Sequence, residues 1–119
     1  MILITGSTGY IGSHLCCYLK KKKIKFVGID NLSYSYKSNI NQKDNHFFFD
    51  ISSKKKVYQL IKEYNIDTVI HAAAFSYVLE AEKEKKKYFL NNVTKTKKFI
   101  NTCKKAKIKK FIFFSSSNV

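Results

Sequence analysis

Three observations predict an α/β fold built as a doubly wound parallel sheet of about five strands. Short apolar runs alternate with amphipathic helical segments along the whole chain. A glycine-spaced turn joins the first run to the first helix, and an acid closes the second run. The chain has 119 residues, which suits one domain with a modest core.

Each element follows from its local pattern. Ile2–Thr5 is a short, largely β-branched strand. Residues 10–22 read as a helix, with Ile11, Leu15, Tyr18 and Leu19 expected on one face. The strand 25–30 carries Phe26, Val27 and Ile29 and ends at Asp30, and the polar stretch 31–45 reads as a loop. A third strand, 46–49, stops at Asp50. Ser52 or Ser53 can cap the next helix, in which Val57, Leu60, Ile61 and Tyr64 recur at i, i+3, i+4 and i+7. Thr68–His71 is the fourth strand, followed by a small-residue loop over 72–77 and a charged, solvated helical turn over 80–87. A long helix over 88–105 is expected to bury Val93, Thr96, Ile100 and Cys103. The fifth strand, 110–114, leads into the serine-rich stretch 115–119.

The formal charge of +15 is carried entirely by lysine. Arginine, with its planar fork, is the residue favoured for base-edge and phosphate recognition. Lysines scattered over many segments therefore read as solvated faces, and nucleic acid as a partner is disfavoured. Cys16, Cys17 and Cys103 are odd in number and lack metal-ligand spacing, so reduced thiols in a cytoplasmic protein, with no metal, are expected. No apolar run approaches the roughly 20 residues of a membrane helix, and the N-terminus lacks the layout of a signal peptide. A membrane partner is not expected.

Gly6, Gly9 and Gly12 form a G-x-x-G-x-x-G turn between the first strand and helix. Such a turn needs one glycine for tightness, one for backbone approach to a pyrophosphate and one for close packing of helix on sheet. The helix start, at Tyr10 and Ile11, offers N–H groups and partial positive charge to an anion. Asp30 closes the next strand, where a carboxylate accepts hydrogen bonds from ribose hydroxyls and repels a 2′-phosphate. The context is that of a Rossmann-type NAD site, with NAD favoured over NADP.

The run from Ile4 to His14, with Asp30-Asn31-Leu32, Asp67-Thr68-Val69-Ile70-His71, Asn91-Asn92-Val93 and Phe111-Ile112-Phe113-Phe114-Ser115-Ser116, resembles the extended short-chain dehydrogenase/reductases. Within them it is most similar to the UDP-glucose 4-epimerase type, over the N-terminal part only. The resemblance implies that Gly6, Gly9, Tyr10, Ile11 and Gly12 line the pyrophosphate, with Asp30 and Asn31 at the ribose. Asp50 and Ile51 would lie beside the adenine, with Asp50 either bonding the exocyclic amine or serving as a loop cap. Ala72, Ala73 and Ala74 would let the cofactor pass close to backbone, and Asn91 would reach it from the long helix. Ser116 matches the family's catalytic serine. A UDP-sugar is the implied substrate, and a homodimer is compatible with the family.

The chain also departs from that pattern. Thr94-Lys95-Thr96 stands where Asn-Gly-Thr is usual, Ser76 where a cofactor-contacting lysine is common, Phe114 where the family has a serine, and Lys85 where a proline is common. The loop tyrosines Tyr34, Tyr36 and Tyr77 are followed four residues on by Ser38, Ile40 and Ala81. The family's Tyr-x-x-x-Lys pair and its C-terminal substrate domain are therefore expected to be missing from residues 1–119, and the chain inactive by itself. Three alternatives remain open at this point. They are a nucleotide-sugar dehydratase or decarboxylase, a non-catalytic NAD-binding module, and a lysine-rich nucleic-acid-binding protein.

Overall fold

The computed structural model describes residues 1–41 and 43–116. Gln42 in the 31–45 loop, and the last three residues of the 115–119 stretch, lie outside the described residues. Five strands, β1 (Ile2–Thr5), β2 (Phe26–Asp30), β3 (His46–Phe48), β4 (Thr68–His71) and β5 (Lys110–Phe113), form one sheet in the order β3-β2-β1-β4-β5. Every pairing is parallel, and Leu3 lies opposite Val27 on one side and Val69 on the other.

A parallel sheet must cover both faces, and the strand alternation divides its side chains accordingly. Ile4 and Phe26 meet Cys16 and Leu19 of α1 (Tyr10–Lys21). On the opposite face Leu3, Val27, Ile29 and Val69 pack against Val57, Leu60 and Ile61 of α2 (Lys54–Glu63) and Phe99 and Cys103 of α5 (Lys95–Lys105). Each such side chain contributes roughly 1.5–3 kcal/mol on burial.

The helices depart from the sequence reading in three places. The buried stripe of α1 is Gly12, Cys16 and Leu19, while Ile11 and Tyr18 are both 56% exposed. Glycine at position 12 lets the helix settle so closely on the first turn that the face rotates away from Ile11. The charged 80–87 stretch is two short helices, α3 (Val78–Lys83) and α4 (Lys85–Phe89). The long helix begins at Lys85, widens into a π-helical segment at Leu90–Thr94, and continues as α5. Thr96, Phe99, Cys103 and the following Ala106 form its buried stripe, and Val93 and Ile100 are only half-buried. Ser53 occupies the N-cap of α2 but makes no side-chain cap bond.

Candidate functional site

The chain runs from β1 outward to β3, then returns to β4 on the other side of β1. In open α/β sheets this reversal leaves a crevice beyond the carboxyl ends of the two central strands. Here it is a cleft of about 520 Å³, within the usual range for a small-molecule site.

The glycine turn forms its floor. Gly6 has φ +70, and a Cβ there would lie 2.9 Å from the backbone of Ala72 and Ala73, so only glycine lets the turn pass beneath the loop after β4. A Cβ on Gly12 would lie 1.9 Å from the Gly6 carbonyl oxygen, which is how closely α1 rests on the turn. The outward Cβ direction at Gly9 meets only the Gly6 oxygen, at 3.3 Å. The helical ladder opens with Ser13 N–H on Gly9 O, so the amides of Tyr10, Ile11 and Gly12 precede it. This is an anion-binding helix start.

Two carboxylates border the adjoining end. Asp30 accepts the Thr8 amide at 3.1 Å and the Leu32 amide at 2.8 Å, tying the glycine turn to the end of β2. Thr8 and Ser35 share a hydroxyl–hydroxyl bond beside it, and Asn39 donates to Thr8 O at 2.9 Å. Asp50 follows β3 and accepts Ser52 N–H and Oγ–H on one oxygen, and Asn31 and Lys95 on the other. Burial pushes the Asp50 carboxyl up, but the bonds from Lys95, Ser52 and Asn31 together outweigh it and hold the group below the usual carboxylate range.

The loop after β4 is fixed from both sides. Thr5 Oγ1 accepts the Ala73 amide at 3.2 Å and pairs with buried His71 Nδ1 at 2.7 Å. Asn92, in the π segment, accepts the Phe75 amide at 2.8 Å and donates to its carbonyl at 2.9 Å. Asn91 donates to Asn92. At the rim, Tyr34 packs edge-on against Phe75 and Tyr77 and donates to Glu80 at 2.6 Å. Lys87 donates to both Tyr34 and Glu80, and Tyr88 donates to Glu80. The bonds from Lys87 and Tyr34 hold the Glu80 carboxyl down to about 2.

The structure gathers all the residues expected at a cofactor around this one cleft. The turn residues Gly6, Gly9, Tyr10, Ile11 and Gly12 line it, as do Asp30, Asn31, Asp50 and Ile51 at one end and Ala72, Ala73, Ala74 and Asn91 at the other. Phe114 also lines it, whereas Ser116, two residues on, is exposed and outside the lining. Thr5, Tyr34, Asn92 and Lys95 were not singled out as site residues. Only the Asn-Asn pair and the lysine in place of glycine marked two of them. Two tyrosines do carry a lysine four residues on, Tyr18 with Lys22 and Tyr58 with Lys62, each lysine lying over its ring. Both tyrosines sit on exposed helix faces and neither lines the cleft. Among the described residues no cluster of three or more His, Cys, Asp or Glu could hold a metal, and no helix is long and apolar enough to cross a membrane. The glycine cradle, the open helix start and the flanking carboxylate together fit a dinucleotide.

Comparison with known proteins gives a consistent picture. The family model described as NAD dependent epimerase/dehydratase family matches residues 2–119. The chain is 39% identical to a dTDP-D-glucose 4,6-dehydratase of Dictyostelium discoideum, over 99% of its own length and 29% of that protein's. It is 34% identical to a UDP-glucose 4-epimerase sequence of Klebsiella pneumoniae, covering 99% of this chain and 90% of the other. It superimposes with a TM-score of 0.94 and 30% identity on the UDP-glucose 4-epimerase of Stenotrophomonas maltophila, solved with NAD and formylated UDP-arabinopyranose, covering 99% of this chain and 37% of that one.

Proposed function

The chain belongs to the NAD-dependent epimerase/dehydratase family, and on that premise we propose that its cleft binds NAD and serves a nucleotide-sugar 4-epimerase of the UDP-glucose/UDP-galactose type. The observation that carries this is the meeting of the Gly6–Gly12 turn and Asp30 in one cleft at the sheet's switch point. The amides of Tyr10, Ile11 and Gly12 hold the pyrophosphate. Asp30 accepts a ribose hydroxyl on the site that the Thr8 and Leu32 amides and the Ser35 hydroxyl leave, and its charge disfavours NADP. Asp50 and Ile51 bound the adenine, while Ala72, Ala73, Ala74 and Asn91 line the passage toward the nicotinamide.

When bound, the dinucleotide supplies hydride acceptance and return at C4 of the sugar. Ser116, three residues past β5, is given by the family resemblance the task of orienting the sugar's 4-hydroxyl. The base that takes that hydroxyl's proton is not among residues 1–119, so these residues constitute the cofactor-binding domain and do not epimerise alone. The same reading puts the protein in the cytoplasm. A dehydratase acting on a related nucleotide-sugar is the second reading, favoured by the 39% identity to the Dictyostelium enzyme.

Calorimetric titration of NAD into the folded chain tests the proposal. Saturable binding, weaker for NADP, is expected. No saturable uptake at millimolar NAD would overturn it, and formation of UDP-galactose by the isolated chain would refute the assigned inactivity.

A further inference from the structure

Resting on the dinucleotide reading of the cleft, we infer that Lys95 removes Asp50 as a reader of the base, so that this chain does not prefer a 6-amino purine over a 6-oxo purine. A carboxylate offers about four lone-pair sites. All of them are taken at Asp50. Oδ1 accepts Ser52 N–H at 2.9 Å and Ser52 Oγ–H at 2.7 Å. Oδ2 accepts Asn31 Nδ2 at 3.0 Å and Lys95 Nζ at 2.7 Å.

An exocyclic amine has only protons to offer and needs an open acceptor. At this carboxylate it would have to displace an existing donor. The most firmly held is the Lys95 ammonium, because both partners of that bond are charged, whereas a neutral amine would bring a charge on one side only. Both partners of the ion pair are only about a quarter exposed, at 27% and 25%, so solvent screens it less than a surface pair. A 6-oxo oxygen is in the opposite position. Lys95 keeps two N–H groups and Asn31 keeps one after serving Asp50, and an acceptor on the base meets them without breaking anything. Lys95 reaches Asp50 from the first residue of α5.

Lys95 thus acts as a positioning residue, and the discriminating quantity is a ratio of affinities. NAD and nicotinamide hypoxanthine dinucleotide are titrated separately into the full chain by calorimetry. The native chain is expected to bind the hypoxanthine form within about threefold of NAD, or more tightly. Lys95→Met keeps the aliphatic stem, opens one site on Oδ2, and is expected to shift the ratio toward NAD by about tenfold. Lys95→Arg, folded as judged by circular dichroism, keeps a donor and is expected to retain the native ratio. A native preference for NAD of tenfold or more overturns the inference, as does an unchanged ratio in Lys95→Met. If neither dinucleotide binds the folded native chain, the dinucleotide site itself is refuted.

Discussion

His71 makes the stability of this fold sensitive to mild acid. Its ring is 2% exposed, bonded through Nδ1 to Thr5 and at 3.2 Å through Nε2 to Thr96, and stacked on Phe99 and Phe113. None of these neighbours is an acid, and burial lowers the imidazole from 6.5 to about 4. The folded state therefore holds His71 neutral, while the unfolded chain takes up a proton near pH 6.5. Stability linked to this group is present above pH 6.5 and is lost as pH falls through the folded value. At about 1.4 kcal/mol per pKa unit the full effect is roughly 3 kcal/mol, of which roughly 2 kcal/mol falls between pH 7 and pH 5. That is a large share of the ~5–15 kcal/mol typical of a domain.

Urea unfolding across that range measures the loss, and His71→Gln isolates it, because the substituted chain keeps every other titrating group. His46, also lowered chiefly by burial, adds to the same acid sensitivity in both proteins. The Asp50 contribution is lost only below the ordinary carboxylate range and stays out of the window. The native chain should lose roughly 2 kcal/mol more than His71→Gln between pH 7 and pH 5. Equal losses in the two would refute the argument that this ring is held neutral by its surroundings.

Three further outcomes are expected. Asp30→Ala removes the acceptor of the Thr8 and Leu32 amides as well as the proposed ribose contact, so NAD affinity should fall by about 10- to 100-fold by calorimetry, at roughly 1.5–3 kcal/mol per bond to a charged group; unchanged affinity would take Asp30 out of the site. Gly12→Ala places a methyl 1.9 Å from the Gly6 oxygen and should cost about 3 kcal/mol in thermal unfolding, whereas Gly9→Ala, whose methyl meets the same oxygen at a tight 3.3 Å that a small shift relieves, should cost less than about 1 kcal/mol yet weaken NAD binding; equal melting temperatures for the two would contradict the packing account. Ile112 and Phe113 on β5 are 48% and 53% exposed, and Ile112→Thr should reduce binding of an apolar dye with a stability change within about 1 kcal/mol; undiminished dye binding would show that the exposed apolar surface lies elsewhere.

The sheet was legible because its strands are short apolar runs that stop at acids or turn residues, and those stops are the residues facing the cleft. The glycine spacing, with Asp30 at the end of the next run, marks the turn in the sequence itself. The long helix was misread for a definite reason. A stripe through Val93, Thr96, Ile100 and Cys103 assumes one pitch throughout, and a π turn carries no compositional mark. The pitch changes at Leu90–Thr94, so Val93 falls out of register with the stripe beyond it, and within α5 the core position goes to Phe99 and not to Ile100. The rim network was hidden for another reason. Tyr34, Glu80 and Lys87 come together only through the fold, and a charged stretch in sequence looks like any solvated face.

The widened turn has a consequence for how the chain tolerates change. A rod of uniform pitch that aimed Phe99 at the core would swing the Asn92 amide roughly 100° away from Phe75, one helical step, given 3.6 residues per turn. One surplus residue lets the same rod serve the hydrophobic interior at one end and grip the cleft's ceiling at the other. Trimming a single residue from 90–94 would restore tidy winding and, in doing so, force the protein to surrender one of those two holds.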